Sequence, residues 1–200
     1  MAERRAPARP RHLAALLAAL LLTAPGCDED NPFRNVSDEV STGTSQVWEL
    51  SLPGFPSAFD FPTEQRFFIG EGGFASSLGN FLLDERDDGT LILRPFSSLV
   101  DFTASRTGIQ DLGPVDFDAV LEAPESGYIA VDDSAGVPVV AGHVYAFRIT
   151  RLQSGVVPIN YAKLLVLEAG TEFPNDPRSR FVRFDWSYQN QPQNRRLVEE

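Results

Sequence analysis

The segment FVRFDWSYQ, at positions 181–189, alternates between apolar and polar side chains along its whole length. Such alternation puts one set of side chains on one face of a β-strand and the other set on the opposite face. The apolar set is Val182, Phe184, Trp186 and Tyr188, and the polar set is Arg183, Asp185, Ser187 and Gln189. Because a slip of one residue would bring the charged face into the core, we expect a firm register.

Other short segments of the chain have a similar composition. YAKLLVLE at 161–168 is the clearest, and QVWELSL at 46–52 predicts an apolar face made by Trp48, Leu50 and Leu52. The remaining expected strands are 115–121, 128–131, 137–140 and 144–150, and a helical turn is an alternative within 97–112. Fifteen prolines and fifteen glycines oppose long helices. The pattern predicts an all-β fold with little helix, an antiparallel β-sandwich or a barrel-like domain.

The acidic segment DERDDGT, at 84–90, separates two apolar runs and predicts a β-hairpin. A two-residue turn at Asp88 and Gly89 would place Leu83 opposite Arg94, whereas a four-residue loop over 86–89 would place Leu83 opposite Ile92. Apolar pairing favours the longer loop. The same acids are arranged somewhat like a calcium loop, but an arginine stands where an oxygen ligand is needed and no glutamate closes the loop, which favours the plain hairpin.

The N-terminal residues have the three zones of a secretory signal. Residues 1–12 are basic, Leu13 to Leu22 are wholly apolar, and small residues lead to Cys27. Ten apolar residues in a helix rise about 15 Å, roughly half the hydrocarbon core of a bilayer. We therefore expect residues 1–26 to be a signal peptide rather than a transmembrane span.

Residues Thr23 to Cys27 (TAPGC) resemble the lipobox of bacterial lipoproteins, with Gly26 and Cys27 at its most telling positions and Ala24 where leucine is more common. An ordinary signal peptidase could also cut after Gly26, and in both cases Cys27 becomes the first mature residue. The resemblance implies that Cys27 is the lipid attachment site, as in a palmitate-bearing protein of the cell envelope. The choice between inner and outer membrane stays open. Cys27 is the only cysteine, and acylation would protect its thiol in an oxidising compartment.

The rest of the chain divides into a flexible acidic tether over 27–45, lipidated at its start, and a single β-rich domain over 46–200. Removal of residues 1–26 takes away four arginines and one glutamate, which leaves 13 basic and 27 acidic residues and a net charge of −14. This charge argues against nucleic acid as a partner and against electrostatic docking on anionic lipid.

Candidates for catalysis or metal binding are few. His143 is the only histidine of the mature chain and no second cysteine exists, so we expect no metal site and no cofactor. Ser77 lies in a degenerate nucleophile-elbow sequence that lacks the required strand–turn–helix context. Trp186 and Tyr188 have side chains able to stack on a sugar, but at strand spacing they are better explained as core residues. We therefore expect that this protein is not an enzyme, and we assign no catalytic residue.

Three segments near the C-terminus, 144–148, 161–164 and 181–189, together resemble the end of HmuY-like bacterial lipoproteins. That resemblance implies an all-β protein of the cell surface, and the founding members bind haem. They hold it through a pair of histidines, whereas this mature chain has only His143 and no methionine. No haem ligand is carried over to this chain.

These observations predict a membrane-anchored envelope lipoprotein that acts as a non-catalytic binding or structural module. Its membrane contact would be the lipid anchor, and its partner another envelope protein or a small ligand. The alternatives are a haem-binding or small-ligand-binding HmuY-like lipoprotein and a carboxylate-dependent hydrolase. A flat surface or an exposed apolar patch would favour the binding module, and a cleft lined by two or more acids with raised pKa values would favour the hydrolase.

Overall fold

A computed structural model describes residues 40–69, 79–99, 105–129, 136–151 and 157–198. The stretch Val36–Glu200 forms one compact unit. Residues 1–26, expected to be a signal peptide, lie outside the described residues, as do Cys27 and Ser77. No helix within the described ranges has the length and apolar character needed to cross a membrane.

The described residues form ten strands in two antiparallel sheets of five. Sheet A contains, in spatial order, β1 (Val40–Trp48), β10 (Arg180–Gln189), β9 (Ile159–Thr171), β8 (Val144–Arg151) and β6 (Ser105–Gly113). Sheet B contains β3 (Gln65–Phe67), β2 (Ala58–Asp60), β4 (Phe81–Glu85), β5 (Leu91–Pro95) and β7 (Val137–Pro138). A single 3₁₀ turn, Phe96–Ser98, is the helical element of these ranges. The fold is therefore the expected all-β sandwich, with two open sheets rather than one closed barrel.

The core of the sandwich is built mainly from aromatic rings contributed by both sheets. Phe61, fully buried just after β2, has its ring centroid 4.9 Å from that of Phe147 on β8 and 5.3 Å from that of Phe59. Edge-to-face and tilted pairs of this kind are favourable beyond the area they bury. The other rings of this cluster are Phe81, Tyr145, Phe184, Trp186 and Tyr188.

Strand β10 has the register and the apolar face that its sequence predicts. Its apolar set packs into the core, and its pairing with β1 is regular along nine residues. On the other face Ser187 and Gln189 are buried as well, because the C-terminal segment covers them. The Ser187 hydroxyl donates to the carbonyl of Leu197 at 2.8 Å, and the Gln189 amide donates to that of Arg196 at 2.8 Å.

Strand β1 corrects two expectations. It runs from Val40, so residues 40–45, assigned to the tether, are strand. The predicted apolar face is also wrong, since Val47 is fully buried in the core while Trp48 is only partly buried. The alternation fails because the strand ends at Trp48, whose N–H donates to the carbonyl of Pro56 at 3.0 Å, and the following residues turn.

The hairpin between β4 and β5 is confirmed, but neither expected register is present. Leu83 lies opposite Leu93, and the N–H of Arg86 donates to the carbonyl of Thr90 at 3.0 Å across a three-residue loop. Gly89 closes the loop with φ +81°, a conformation that glycine adopts without strain. This register puts both leucines on the core face and still pairs apolar residues.

Residues 115–121, expected to be a strand, instead form turns over the outer face of sheet A, and the described part of 128–131 is not strand either. The turns are held by Lys163, the only lysine in the sequence, which is 1% exposed. Its ammonium donates to the carbonyls of Phe117 at 2.7 Å and Val120 at 3.0 Å. The strand propensity of residues 115–121 does not decide their structure, because Lys163 takes the place of a neighbouring strand by donating hydrogen bonds to their carbonyls.

Buried tyrosines predict that the fold is lost in alkali. Burial raises the pKa of Tyr188 to about 12, and it also raises the pKa of Tyr145 and of Tyr128. In the unfolded chain these phenols ionise near pH 10. The stability they contribute is therefore complete below about pH 10 and is lost as the pH rises through 12. We expect phenolate absorbance and loss of the β-sheet circular dichroism signal to appear together in that window.

The control is the same titration in denaturant, where all the tyrosines should ionise near pH 10. Ionisation of these phenols near pH 10 in a chain that keeps its sheet signal would contradict the prediction.

Candidate functional site

The end of β1 carries a group of aromatic side chains that lies outside the core. The ring centroid of Trp48 is 5.1 Å from that of Phe55, which is 5.8 Å from that of Phe173. Phe173 is 45% exposed, and Phe68, just after β3, is 60% exposed. We call Trp48, Phe55, Phe68 and Phe173 the aromatic corner. Exposed rings grouped in this way are uncommon on a soluble domain and mark a candidate binding surface.

Backbone hydrogen bonds hold this corner in place. The chain turns after Trp48 through Gly54, whose φ of +81° suits glycine, and returns so that Phe55 packs on the indole. Phe173 begins the loop between β9 and β10. Its N–H donates to the hydroxyl of Ser179 at 2.8 Å, and that hydroxyl donates to the Phe173 carbonyl at 2.9 Å. The rings therefore stand on anchored turns.

A surface groove of about 490 Å³ runs along the corner between the edges of the two sheets. Its apolar walls are Trp48, Pro56 and Phe68. Its polar lining comes from Glu64, Gln65 and Arg66, at the edge of sheet B. The groove thus combines flat apolar surface with hydrogen-bond donors and acceptors, which is the composition of a recognition site.

Arg66 adds a free positive charge to the groove. Its side chain is exposed and forms no hydrogen bond or ion pair with the residues that the structure describes. By contrast, Arg94 pairs with Asp84 at 2.8 Å and Arg180 with Glu85 at 2.9 Å. An unpaired guanidinium is suited to bidentate binding of a carboxylate or a similar anion.

In the acidic turn at 84–89, the carboxylates of Asp84, Glu85 and Asp88 form ion pairs or hydrogen bonds within the fold. In addition to the two ion pairs of Asp84 and Glu85, the Asp88 carboxylate accepts the N–H of Thr90 at 2.9 Å. Hydrogen bonding by the Thr90 side chain, and after it by this N–H, lowers the pKa of Asp88. Within the described ranges, no group of three or more His, Cys, Asp or Glu side chains is arranged to hold a metal ion. The hairpin interpretation of this segment is confirmed.

His143 lies at the start of β8, partly exposed. Its Nδ1 atom is 3.1 Å from both carboxylate oxygens of Asp111, at the bulged end of β6. Protonated, the imidazole can form an ion pair with that carboxylate. The structure therefore gives His143 a local partner, while Ser77, its candidate catalytic companion, lies outside the described residues.

A second surface groove, of about 660 Å³, lies on the outer face of sheet A, and Asp116, Asp118 and Asp185 are among the residues lining it. The hydroxyl of Thr44 donates to Asp185 at 2.5 Å. Burial lowers the pKa of Lys163, and Asp118 and Asp116 oppose this shift. Because its ammonium donates hydrogen bonds to two backbone carbonyls, Lys163 fixes the turns at 115–121 on the outer face of sheet A.

The structure assigns the conspicuous aromatics differently from the sugar-stacking alternative. Trp186 and Tyr188 are 3% and 4% exposed, as the core interpretation predicts. Among the residues that the structure describes, the aromatic corner offers exposed rings to a ligand; strand periodicity placed Trp48 on a core face and did not single out Phe55, Phe68 or Phe173. A usable signal was present, since Phe55 lies between Gly54 and Pro56 and therefore in a turn, where a large ring has no strand face to pack on.

Comparison with known proteins gives no relative from which a role can be transferred. No family model matches the chain, and neither a curated protein nor a solved structure matches it.

Proposed function

We propose that this chain is a lipid-anchored protein of the bacterial cell envelope whose β-sandwich acts as a non-catalytic binding module. In this proposal Cys27 carries the lipid, and the aromatic corner with Arg66 receives a partner protein. The observation that carries the binding part is the exposed aromatic groove, at whose edge Arg66 has no hydrogen-bond or ion-pair partner among the described residues.

The anchoring part is supported by the N-terminal sequence. An apolar run from Leu13 to Leu22 precedes small residues and Cys27, and this is the only cysteine of the chain. Each buried lipid methylene contributes about 0.8 kcal/mol, so several acyl chains on one residue are enough for stable attachment. The strongly acidic mature chain gains little from anionic lipid, which leaves the acyl chains as its membrane contact.

The shape and charge of the corner support a protein partner over a small ligand. Small ligands are usually enclosed by a pocket, whereas this groove is a surface cleft between two sheet edges with rings exposed beside it. Tryptophan, phenylalanine and arginine are the residues enriched in protein interfaces and their most energetic positions. A partner that places an apolar side chain between Trp48 and Phe68 and a carboxylate on Arg66 would match all three.

The position of the aromatic corner along β1 also supports its accessibility to a partner protein. The segment that follows Cys27 reaches the sheet at Val40, and Trp48 lies at the other end of the same strand. Eight residue steps of strand span about 26 Å. The proposed binding surface is therefore remote from the point where the tether joins the domain.

Anchoring is tested by replacing Cys27 with serine in the full chain. The wild-type protein should fractionate with membranes and show the mass of an acylated Cys27, whereas Cys27→Ser should be found in the soluble fraction. Retention of the variant on membranes, or an unmodified wild-type amino terminus, would refute the anchor.

Binding is tested with a displayed library of random peptides panned against the mature Cys27→Ser protein. Selected peptides should combine an aromatic or aliphatic residue with a nearby Asp or Glu. Phe68→Ala and Arg66→Ala should each weaken binding about tenfold, equivalent to about 1.4 kcal/mol.

The matched controls are Leu121→Ala and Arg106→Ala, which remove an exposed leucine and an exposed arginine far along the chain from the groove. They should leave binding unchanged. Peptides that bind all four variants equally, or the absence of any enrichment, would count against the corner as a binding surface.

A further inference from the structure

We propose that the free edge of β1 pairs with β1 of a second copy of this chain, so that two A sheets join into one continuous antiparallel sheet. This inference concerns the backbone edge of β1 from Val40 to Gln46 rather than the rings of the aromatic corner, which it meets at Trp48, and it does not depend on the acylation of Cys27.

The direction of the backbone groups along β1 follows from two hydrogen bonds. The N–H of Glu49 donates to the carbonyl of Arg180 at 2.8 Å, which continues the register of β1 with β10. In an antiparallel pair alternate residues bond to the neighbour, so the odd-numbered residues of β1 face β10 and the even-numbered ones face outward. The outward N–H of Trp48 is accepted by Pro56 at 3.0 Å, in agreement with this assignment.

Four residues therefore present, at the edge of sheet A, backbone groups that no described residue pairs. Val40, Thr42, Thr44 and Gln46 each direct an N–H and a carbonyl away from β10, and no described segment lies beyond β1 in the sheet. An edge of this kind is a template for the addition of another strand.

The other three edges of the described sheets carry the features that normally prevent such pairing. β3 and β7 are three and two residues long, and β7 contains Pro138. β6 carries Arg106 and Asp111, is bulged near its end, and its Ile109 carbonyl accepts the N–H of Ile129 at 2.9 Å. Charged residues, proline, a short strand, a bulge and a covering segment each prevent an edge strand from pairing with another chain.

Between Val40 and Gln46, β1 has none of these features among the described residues. Its sequence VSTGTSQVW contains no charged residue and no proline, and its register with β10 is uninterrupted over nine residues. A regular, uncharged edge of this length is therefore the one that the domain leaves open to a partner strand.

A second copy is the occupant that suits this edge. Antiparallel pairing about a two-fold axis at Thr44 would place Thr44 opposite its equivalent and Thr42 opposite Gln46. All of these residues direct their backbone groups outward, and their side chains are neutral hydrogen-bonding groups, which pair well across strands. No like charges would meet along the joined edges, although each mature chain has a net charge of −14. Such an isologous contact closes as a dimer.

The test is sedimentation equilibrium of the mature Cys27→Ser protein over a range of concentrations, with and without Thr42→Pro. Proline is tolerated where the strand N–H faces solvent, so Thr42→Pro should keep the thermal midpoint of the parent. It removes an edge donor on each copy and should raise the dimer dissociation constant at least about tenfold.

Ser45→Pro is the matched control, because the N–H of Ser45 faces β10 opposite Phe184. That variant should lower the thermal midpoint, which would establish the direction of the backbone groups independently. A parent that is monomeric at every concentration, including one whose edge takes a strand from a different protein, would overturn the proposal. A Thr42→Pro variant that dimerises as tightly as its parent would overturn it as well.

Discussion

Replacement of Phe61 by alanine should lower the free energy of unfolding by about 3–5 kcal/mol. Phe61 is fully buried, and its ring contacts rings from both sheets, with centroid distances of 4.9 Å to Phe147, 5.8 Å to Phe81 and 6.1 Å to Trp186. Removal of the ring leaves a cavity in the centre of the sandwich, because strands fixed by hydrogen bonds on both sides can close it only partly. Urea unfolding followed by circular dichroism measures the change.

Phe68→Ala is the matched control for this variant, since it deletes the same ring from a position that is 60% exposed. Its free energy of unfolding should stay within about 0.5 kcal/mol of the wild type. Equal effects of the two substitutions would contradict the assignment of Phe61 to the core and Phe68 to a binding surface.

Loss of the Asp60 carboxylate should be the next most damaging change. Asp60, in β2, is fully buried and forms an ion pair with Arg151, in β8, so that the pair connects sheet B to sheet A. The same carboxylate accepts the hydroxyl of Thr63 at 2.7 Å. Asp60→Asn keeps the size of the side chain but removes the carboxylate charge that pairs with the guanidinium of Arg151. We expect a loss of about 3 kcal/mol in the free energy of unfolding.

A double-mutant cycle separates the ion pair from the packing of Asp60. Addition of Arg151→Gln to Asp60→Asn removes the second member of the ion pair, so the double variant should be more stable than the sum of the two single losses by at least about 1 kcal/mol. Strictly additive losses in urea unfolding would show that the two side chains do not act as a pair.

The fold class followed from the sequence where one periodicity dominated. In β10 the alternation from Phe181 to Gln189 has a single apolar face, and only one register buries it. The same reasoning failed at 46–52, because both Val47 and Trp48 are apolar and alternation alone cannot rank two adjacent candidates for one core position. The chain reversal held by the Trp48–Pro56 hydrogen bond made that choice.

The candidate site was less accessible to sequence reasoning. Trp48, Phe68 and Phe173 come from three separate segments, and no spacing along the chain indicates that a sheet edge and two turns converge. Trp186 and Tyr188, the aromatic pair that the sequence makes most conspicuous, are core residues. Arg66 differs from Arg94 and Arg180 only in the tertiary structure, which gives each of those two arginines an ion-pair partner.

What the sequence determined by itself is local: the alternation of side chains and the positions of turns are properties of neighbouring residues, and so is the pattern before Cys27 from which we expect a signal peptide. The tertiary structure decided which strand lies at an edge, how the hairpin registers Leu83 with Leu93, and where Lys163 and Asp60 find partners. These outcomes depend on contacts between residues far apart in the chain, because a buried charge or carbonyl must be satisfied by whichever group the packing of two sheets brings to it.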